Sequence, residues 1–214
     1  MSVDVHSEQD KNKPAPQGLD SLPGVVLNPR NRHLLEEAAR ASGGDAAWRA
    51  RKGAEAHDLL ALSQIASAGR LTVERLDMRE SLQAVLLMRV PVPCRPDANN
   101  VLRVADHAVL GLNYPHEVLR KRLPGMSFIQ IFEPHGVWHA NCGIIGQPLC
   151  LGTDLPCGMP VKELVLMTYG ALSMQTIQVD ERDEAGIVNP MAARWWAANL
   201  HRIPLSTTPF LKAG

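Results

Sequence analysis

The sequence predicts an α+β fold in which an antiparallel four-stranded meander is flanked by N-terminal and C-terminal helices. Three observations support this: Ala- and Leu-rich helical segments come first, short apolar segments without long helices between them follow, and helical spacing returns near the end. Strands joined without a helical crossover pair as antiparallel neighbours. A chain of 214 residues, 45% of them hydrophobic, can bury a full core, so we expect one domain with a tail.

The tail is expected at residues 1–27 and the single domain at 28–214. The first segment is mostly polar and is interrupted by Pro and Gly, so it buries too little apolar surface to offset the entropy of ordering. Two helices are predicted within 31–68, which is rich in Ala, Leu and Glu. Asp45 is the expected N-cap of the second helix, and Gly69 is its expected stop.

The meander is predicted over 70–132. Its first segment alternates between apolar and polar residues, and its second is a near-continuous run of branched apolar residues. Turns separate these segments from two further apolar ones. The four expected strands are 70–77, 82–92, 107–112 and 126–132.

An irregular stretch at 133–160 separates the meander from C-terminal helices predicted within 161–202. Helical spacing over 161–174 places five residues on one face: Val161, Leu164, Val165, Tyr169 and Leu172. The last helix is expected to begin in "NPMAARWW", with Asn189 as N-cap and Pro190 as first helical residue. Because the irregular stretch holds most of the chemically reactive residue types, we expect the functional site there.

Composition excludes several classes of protein. Lys+Arg and Asp+Glu are equal at 22 each, so no basic field suggests nucleic-acid or membrane-surface binding. No apolar run reaches the roughly 18 residues of a membrane span, and the N-terminus does not resemble a signal peptide, so we expect a soluble, cytoplasmic protein with reduced cysteines. The sequence also contains no Gly-rich phosphate loop, and no cofactor is expected.

The segment "HANCGIIGQPLCLG", residues 139–152, concentrates a histidine, an asparagine and two cysteines. A zinc site using His139, Cys142, Cys150 and Cys157 is one interpretation, but structural zinc sites bring cysteines in close C-x₂₋₄-C pairs, and here the gaps are longer. A redox pair would need C-x-x-C, which is absent from the sequence. A single nucleophilic cysteine, or cysteines that only pack, remain.

Cys150 is the strongest candidate nucleophile. Its surroundings, "GIIGQPLCLGTDLPCGMP", are rich in Gly and Pro, which is typical of an irregular surface loop where a thiolate can be reached. Cys94 and Cys142 are expected to be buried packing residues, since most free cysteines are.

The same stretch resembles the active site of ubiquitin-conjugating enzymes, which carry ubiquitin or a ubiquitin-like protein as a cysteine thioester. The family shows a His-Pro-Asn triplet, then a Gly, then an Ile/Val-Cys-Leu segment. Here "HAN" at 139–141, Gly146 and "LCL" at 149–151 correspond to these elements. Ala140 replaces the proline of the triplet, and one extra residue separates the triplet from the cysteine.

The flanking segments resemble the family in the same order, over roughly 70–202. "LNYPHEVLRKRLPGMSFIQIF" is similar to the Tyr-Pro turn and last meander strand, and "LPCGMPVKELVLMTYGAL" to the helix after the cysteine. "NPMAARWW" is similar to the family's Asn-Pro-x-Ala-Ala helix start. The divergence resembles that of prokaryotic members from operons that encode an activating enzyme, a ubiquitin-like protein and a metallopeptidase. Such operons are associated with antiphage defence.

The resemblance implies a role for each site residue. Cys150 would form the thioester, and Asn141 would donate to the oxyanion or hold the loop. His139 would be a loop-supporting histidine or, less in keeping with the family, a base. An acidic gate residue that helps to deprotonate the incoming lysine would be Asp183, with Glu184 or Asp180 as alternatives, because the loop at 178–188 is lengthened.

The implied partners are an activating enzyme, a ubiquitin-like protein and a target protein that supplies an amine. In the family the N-terminal helix usually docks the activating enzyme, and either predicted N-terminal helix could correspond to it. Two other functions stay open: a non-catalytic interaction module on the same fold, and a small zinc-stabilised binding domain.

Overall fold

The computed structural model describes residues 24–177, 179–180 and 186–211. Within these ranges the chain forms four α-helices and seven β-strands. The helices are α1 (Pro29–Arg40), α2 (Ala46–Ile65), α3 (Val161–Leu172) and α4 (Pro190–Ala198). The strands are β1 (Leu71–Asp77), β2 (Leu82–Met88), β3 (Val92–Cys94), β4 (Arg103–Ala105), β5 (Ala108–Tyr114), β6 (Ile129–Glu133) and β7 (Pro148–Leu149).

The main sheet is antiparallel and has the order β1-β2-β5-β6-β7, which confirms the α+β class and the four meander strands. Three details differ from the prediction. The strand expected at 126–132 begins at Ile129, because Gly125–Ser127 forms a 3₁₀ turn. The run 82–92 ends as a strand at Met88, and Val92 begins a separate two-stranded sheet of β3 and β4. The short strand β7 adds a fifth strand to the edge of the main sheet next to β6.

The predicted N-terminal helices are present, and Asp45 caps α2 by accepting a hydrogen bond from the Trp48 amide. The helix ends at Ile65 rather than at Gly69, because Ala66 adopts an extended backbone conformation. A short 3₁₀ turn, Ser67–Gly69, follows. The predicted boundary of the tail at residue 27 is also too late, because Leu27 already belongs to the folded domain. Leu27 is buried in the core, and Asn28 caps α1 through the Asn31 amide.

The core lies between the inner face of the sheet and the helices α2 and α3. All five residues predicted on the inner face of α3 are buried. The α3 helix is tied to α2 by Glu55, whose carboxylate accepts from the Val161 amide at 2.7 Å and pairs with Arg51 at 2.6 Å. Burial raises the pKa of Glu55, and the bond to Val161 opposes that shift. The Glu55–Val161 hydrogen bond thus fixes the position at which α3 begins, directly after the irregular stretch.

The last helix builds a second, smaller core. Asn189 caps α4 through the Ala192 amide and Pro190 is its first residue, as predicted. Fully buried Trp196 is the centre of a cluster with Trp138, Met174 and Ala192. None of the described helices is long and apolar enough to cross a bilayer.

Candidate active site

The segment "HANCGIIGQPLCLG" folds back on itself as a tight hairpin beside the main sheet. Cys142 forms an antiparallel bridge with Leu149, and Leu149 pairs on its other side with Ile129 of β6. The Gly143 amide donates to the Pro148 carbonyl at 2.9 Å. The hairpin therefore returns the chain so that Cys150 lies next to the residues that open the segment.

Cys150 lies at the end of this hairpin, directly after β7. Its backbone amide donates to the Asn141 carbonyl at 2.7 Å, which fixes the two residues side by side. Its thiol donates to the Gly152 carbonyl, with Sγ 3.4 Å from the oxygen. The residue is buried, with 7% of its surface exposed, so the expectation of an accessible surface position for this thiol is wrong: the hairpin packs Cys150 against the protein instead of presenting it to solvent.

His139 is fully buried and uses both ring nitrogens within the protein. Nε2 donates to the Ala171 carbonyl of α3 at 3.0 Å, and Nδ1 accepts from the Asn141 amide at 3.0 Å. These two bonds require the neutral ring with the proton on Nε2. Burial lowers the pKa of His139 from 6.5 to about 4, with the Ala171 bond opposing that shift. The geometry makes His139 a tie between the loop and α3.

Asn141 faces the segment that precedes α4. Its Nδ2 donates to the Gly186 carbonyl at 3.0 Å, and its buried Oδ1 has no hydrogen-bond partner among the described residues. The amides of Val188 and Asn189 both donate to the Ala140 carbonyl at 3.0 Å. In this arrangement the Asn141 side chain supports the loop through Gly186, while its backbone carbonyl accepts from the Cys150 amide.

Three of the four cysteines, Cys150 included, are buried. Cys94 and Cys142 are buried, as predicted, and burial raises the pKa of the Cys142 thiol to about 12. Cys157 is exposed. All four ligands of the zinc interpretation lie within the described residues, where no three His, Cys, Asp or Glu form a metal-binding group. The zinc interpretation is therefore without geometric support.

The acidic gate is only partly described. Asp183 and Glu184 lie outside the described residues, and Asp180 lies in the described pair 179–180. Gly186, which bonds to Asn141, follows this acidic segment in the chain. Gly186, the first described residue after this segment, therefore lies beside Asn141.

Gly125 packs against residues 151–152, which directly follow Cys150. The sequence-based interpretation did not identify Gly125 as part of the site. This glycine begins a short 3₁₀ turn, Gly125–Ser127, and its amide donates to the Gly152 carbonyl at 3.0 Å. A Cβ at this position would lie 2.5 Å from the Gly152 oxygen and 2.8 Å from the Leu151 nitrogen. Only glycine fits against this backbone, and a glycine inside "LPGMSF" was the available signal.

Replacing Gly125 with alanine is expected to lower the free energy of unfolding by about 2 kcal/mol, because the new methyl group collides with backbone atoms. The displaced loop is expected to expose Cys150 and to increase its rate of alkylation by iodoacetamide, measured by mass spectrometry. Gly53→Ala is the matched control. An added Cβ at Gly53, within α2, meets no atom within 4 Å, so this change should stabilise by up to about 1 kcal/mol. Equal effects of the two changes would contradict the assigned packing.

Comparison with known proteins adds no relative: no family model, curated protein or solved structure matches this chain.

Proposed function

We propose that this protein is a ubiquitin-conjugating-like carrier enzyme, in which Cys150 accepts a ubiquitin-like protein as a thioester and passes it to a target amine. The observation that carries the proposal is the hydrogen bond from the Cys150 amide to the Asn141 carbonyl. This hydrogen bond brings together Asn141 and Cys150, two residues of the family motif that are nine positions apart in the sequence. They follow the meander strands and precede α3 and α4, the order that the resemblance implies.

The first step exchanges one thioester for another. The Cys150 thiolate attacks the carbonyl carbon of the activating enzyme's thioester, a new S–C bond forms, and the activating enzyme's cysteine leaves as a thiolate. Reactant and product are both thioesters, so the reaction free energy is close to zero. The step therefore depends mainly on the proximity of the two cysteines and on a reactive thiolate. To react, the Cys150 thiol must first leave the Gly152 carbonyl.

The second step transfers the acyl group to an amine. A deprotonated lysine attacks the thioester carbon, the new C–N bond forms as the Cys150 thiolate leaves, and the amine loses its second proton. His139 is a poor base for this proton, since burial lowers its pKa and both nitrogens are engaged. The acidic segment 180–184, which shortly precedes Gly186 in the sequence, is the better candidate, because the Gly186 carbonyl accepts from Asn141.

A non-catalytic interaction module is the second candidate function, and one observation favours it. Cys150 is 7% exposed and its thiol is hydrogen-bonded, which is also the setting of a cysteine that only packs. The two functions predict opposite results when the protein is offered a charged activating enzyme.

The test is a non-reducing gel of the purified protein with ATP, the activating enzyme and the ubiquitin-like protein from the same source. A higher band that disappears on thiol treatment is expected, and it should be absent from Cys150→Ala. Cys157→Ala is the matched control, because that thiol is exposed and should be dispensable. If no thiol-sensitive band forms although the activating enzyme itself is charged, the carrier function is wrong for this pair and the interaction module is favoured.

A further inference from the structure

The outer face of the main sheet, opposite the core, contains a cavity of about 610 Å³. This volume lies within the range of roughly 300 to 1,000 Å³ that small-molecule sites occupy. Solvent-facing sheet surfaces usually present polar side chains in alternation with the buried ones. Here Phe132 and Met126 remain 42% and 40% exposed at the cavity, among amide and arginine side chains.

The strand register places one row of residues along the cavity. The row runs from Arg75 through Val85 and Gly111 to Gln130 and Pro148. Gly111, at the centre of this row, has no side chain, and the resulting dip is occupied by the Phe132 ring. All five residues line the cavity.

A β-bulge places an aromatic ring over this dip. Leu110 pairs with Ile131 while the adjacent Val109 pairs with Glu133, so Phe132 is the extra residue of the bulge. A Cβ on Gly111 would lie 2.4 Å from Cζ of Phe132, which shows that the ring rests directly on the glycine. Bulges re-aim side chains in this way and are frequent beside functional sites. Phe132 also lines the cavity.

The polar groups around the ring favour an anion. Asp77 is neutralised by Arg79 through a short ion pair. The Arg75 side chain makes no hydrogen bond or ion pair within 4 Å with any described residue, although its charge adds to the hydrogen bonds from Arg79 that lower the pKa of Asp77. The Asn113 Oδ1 accepts from the Ser81 hydroxyl at 3.0 Å, and its Nδ2 donor meets no described acceptor. The lining therefore offers one unpaired cation and an amide donor beside apolar surface.

We propose that this cavity binds a small organic anion with a flat aromatic ring, with the ring against Phe132 and the carboxylate or phosphate facing Arg75. An Arg guanidinium fits either anion, and an aromatic ring supplies a flat apolar surface at low entropic cost. The site does not depend on the carrier function, because Cys150 does not line it.

The test uses the intact protein, labelled with ¹⁵N and titrated with 2-naphthoate and, separately, with 2-naphthyl phosphate. Saturable shifts confined to the cavity lining, in β1, β2, β5, β6, β7 and the turn at 126–128, are expected, and the tighter of the two probes identifies the preferred anion. The neutral analogue 2-naphthamide should bind at least about tenfold more weakly, since it lacks the charge-assisted hydrogen bond.

Two variants locate the site. Arg75→Gln and Phe132→Ala should each weaken 2-naphthoate binding about tenfold. Arg103→Gln is the control, because Arg103 is exposed on β4, outside the cavity, and should leave binding unchanged. Binding that does not saturate by 10 mM, shifts spread over other elements, or equal effects of Arg75→Gln and Arg103→Gln would each overturn the proposal.

Discussion

Replacing Trp196 with alanine is expected to lower the free energy of unfolding by about 4 kcal/mol, the usual range for removing a buried Trp. Trp196 is fully buried at the centre of the second core cluster, and its Nε1 donates to the Trp138 carbonyl at 2.8 Å. The substitution leaves a large cavity and an unpaired carbonyl one residue before His139. The loss is a large part of the roughly 5 to 15 kcal/mol that stabilises a typical domain. Urea unfolding followed by circular dichroism measures it.

Two further variants separate the contributions. Trp196→Phe keeps most of the ring but removes the donor to Trp138, so a loss of about 2 kcal/mol is expected. Trp195→Ala is the matched control on the same helix. Trp195 is only half-buried, and its Nε1 bonds to Asn100 in an exposed setting, so its removal should cost about 1 kcal/mol. If Trp195→Ala destabilised as much as Trp196→Ala, the second core would not be centred on Trp196.

Local sequence signals predicted the elements of this fold that depend on local chemistry. Asp45 and Asn189 both cap helices as expected, because each carries a side-chain oxygen two or three residues before free amides. The inner face of α3 follows from helical spacing alone. The four meander strands were recognisable because each alternates or runs apolar between turn residues.

Long-range contacts explain what the sequence did not reveal. The two-residue strand β7 exists only because Pro148 and Leu149 pair with β6, and so short a segment carries no periodicity. The chain just after α2 contacts residues 210–211: the Ser67 amide donates to the Phe210 carbonyl, and Ala66 forms an antiparallel β-bridge with Leu211. These contacts hold Ala66 in an extended conformation and so end the helix at Ile65. Such contacts join residues that are distant in the chain, and neither propensity nor pattern predicts them.

In the candidate site, too, the sequence predicted the features that depend on the local motif and missed those that depend on tertiary contacts. The motif predicted that His139, Asn141 and Cys150 belong together, and the structure places them in one hydrogen-bonded loop. It did not predict that His139 would be tied to Ala171 and fully buried, since burial is a property of the packed fold. Gly125 was also missed, because the need for glycine arises from a backbone that approaches from 151–152.

Burial of His139 predicts a loss of stability in acid. The native pKa is lowered to about 4 while the ordinary value is 6.5, so below pH 6.5 the unfolded chain binds a proton that the native protein does not. The contribution of the neutral ring is complete above pH 6.5 and is lost progressively as the pH falls towards 4. The loss relative to neutral pH amounts to about 2 kcal/mol at pH 5 and about 3 kcal/mol near pH 4, at about 1.4 kcal/mol per pKa unit. Urea unfolding at pH 7.5, 6, 5 and 4.5 measures it.

Carboxylates also titrate in this range, so the contribution of His139 is the difference between two proteins. His139→Gln replaces the imidazole by a neutral amide that can still donate towards Ala171, and it should unfold more easily at pH 7.5 but lose about 2 kcal/mol less between pH 7.5 and pH 5. His57→Gln, at a half-exposed histidine of α2, is the matched control for replacing a histidine by glutamine. A wild-type slope in His139→Gln would mean that the ring takes up a proton in the native state. That result would restore His139 as a candidate base for lysine transfer, because a ring that can be protonated in place can exchange a proton with the incoming amine.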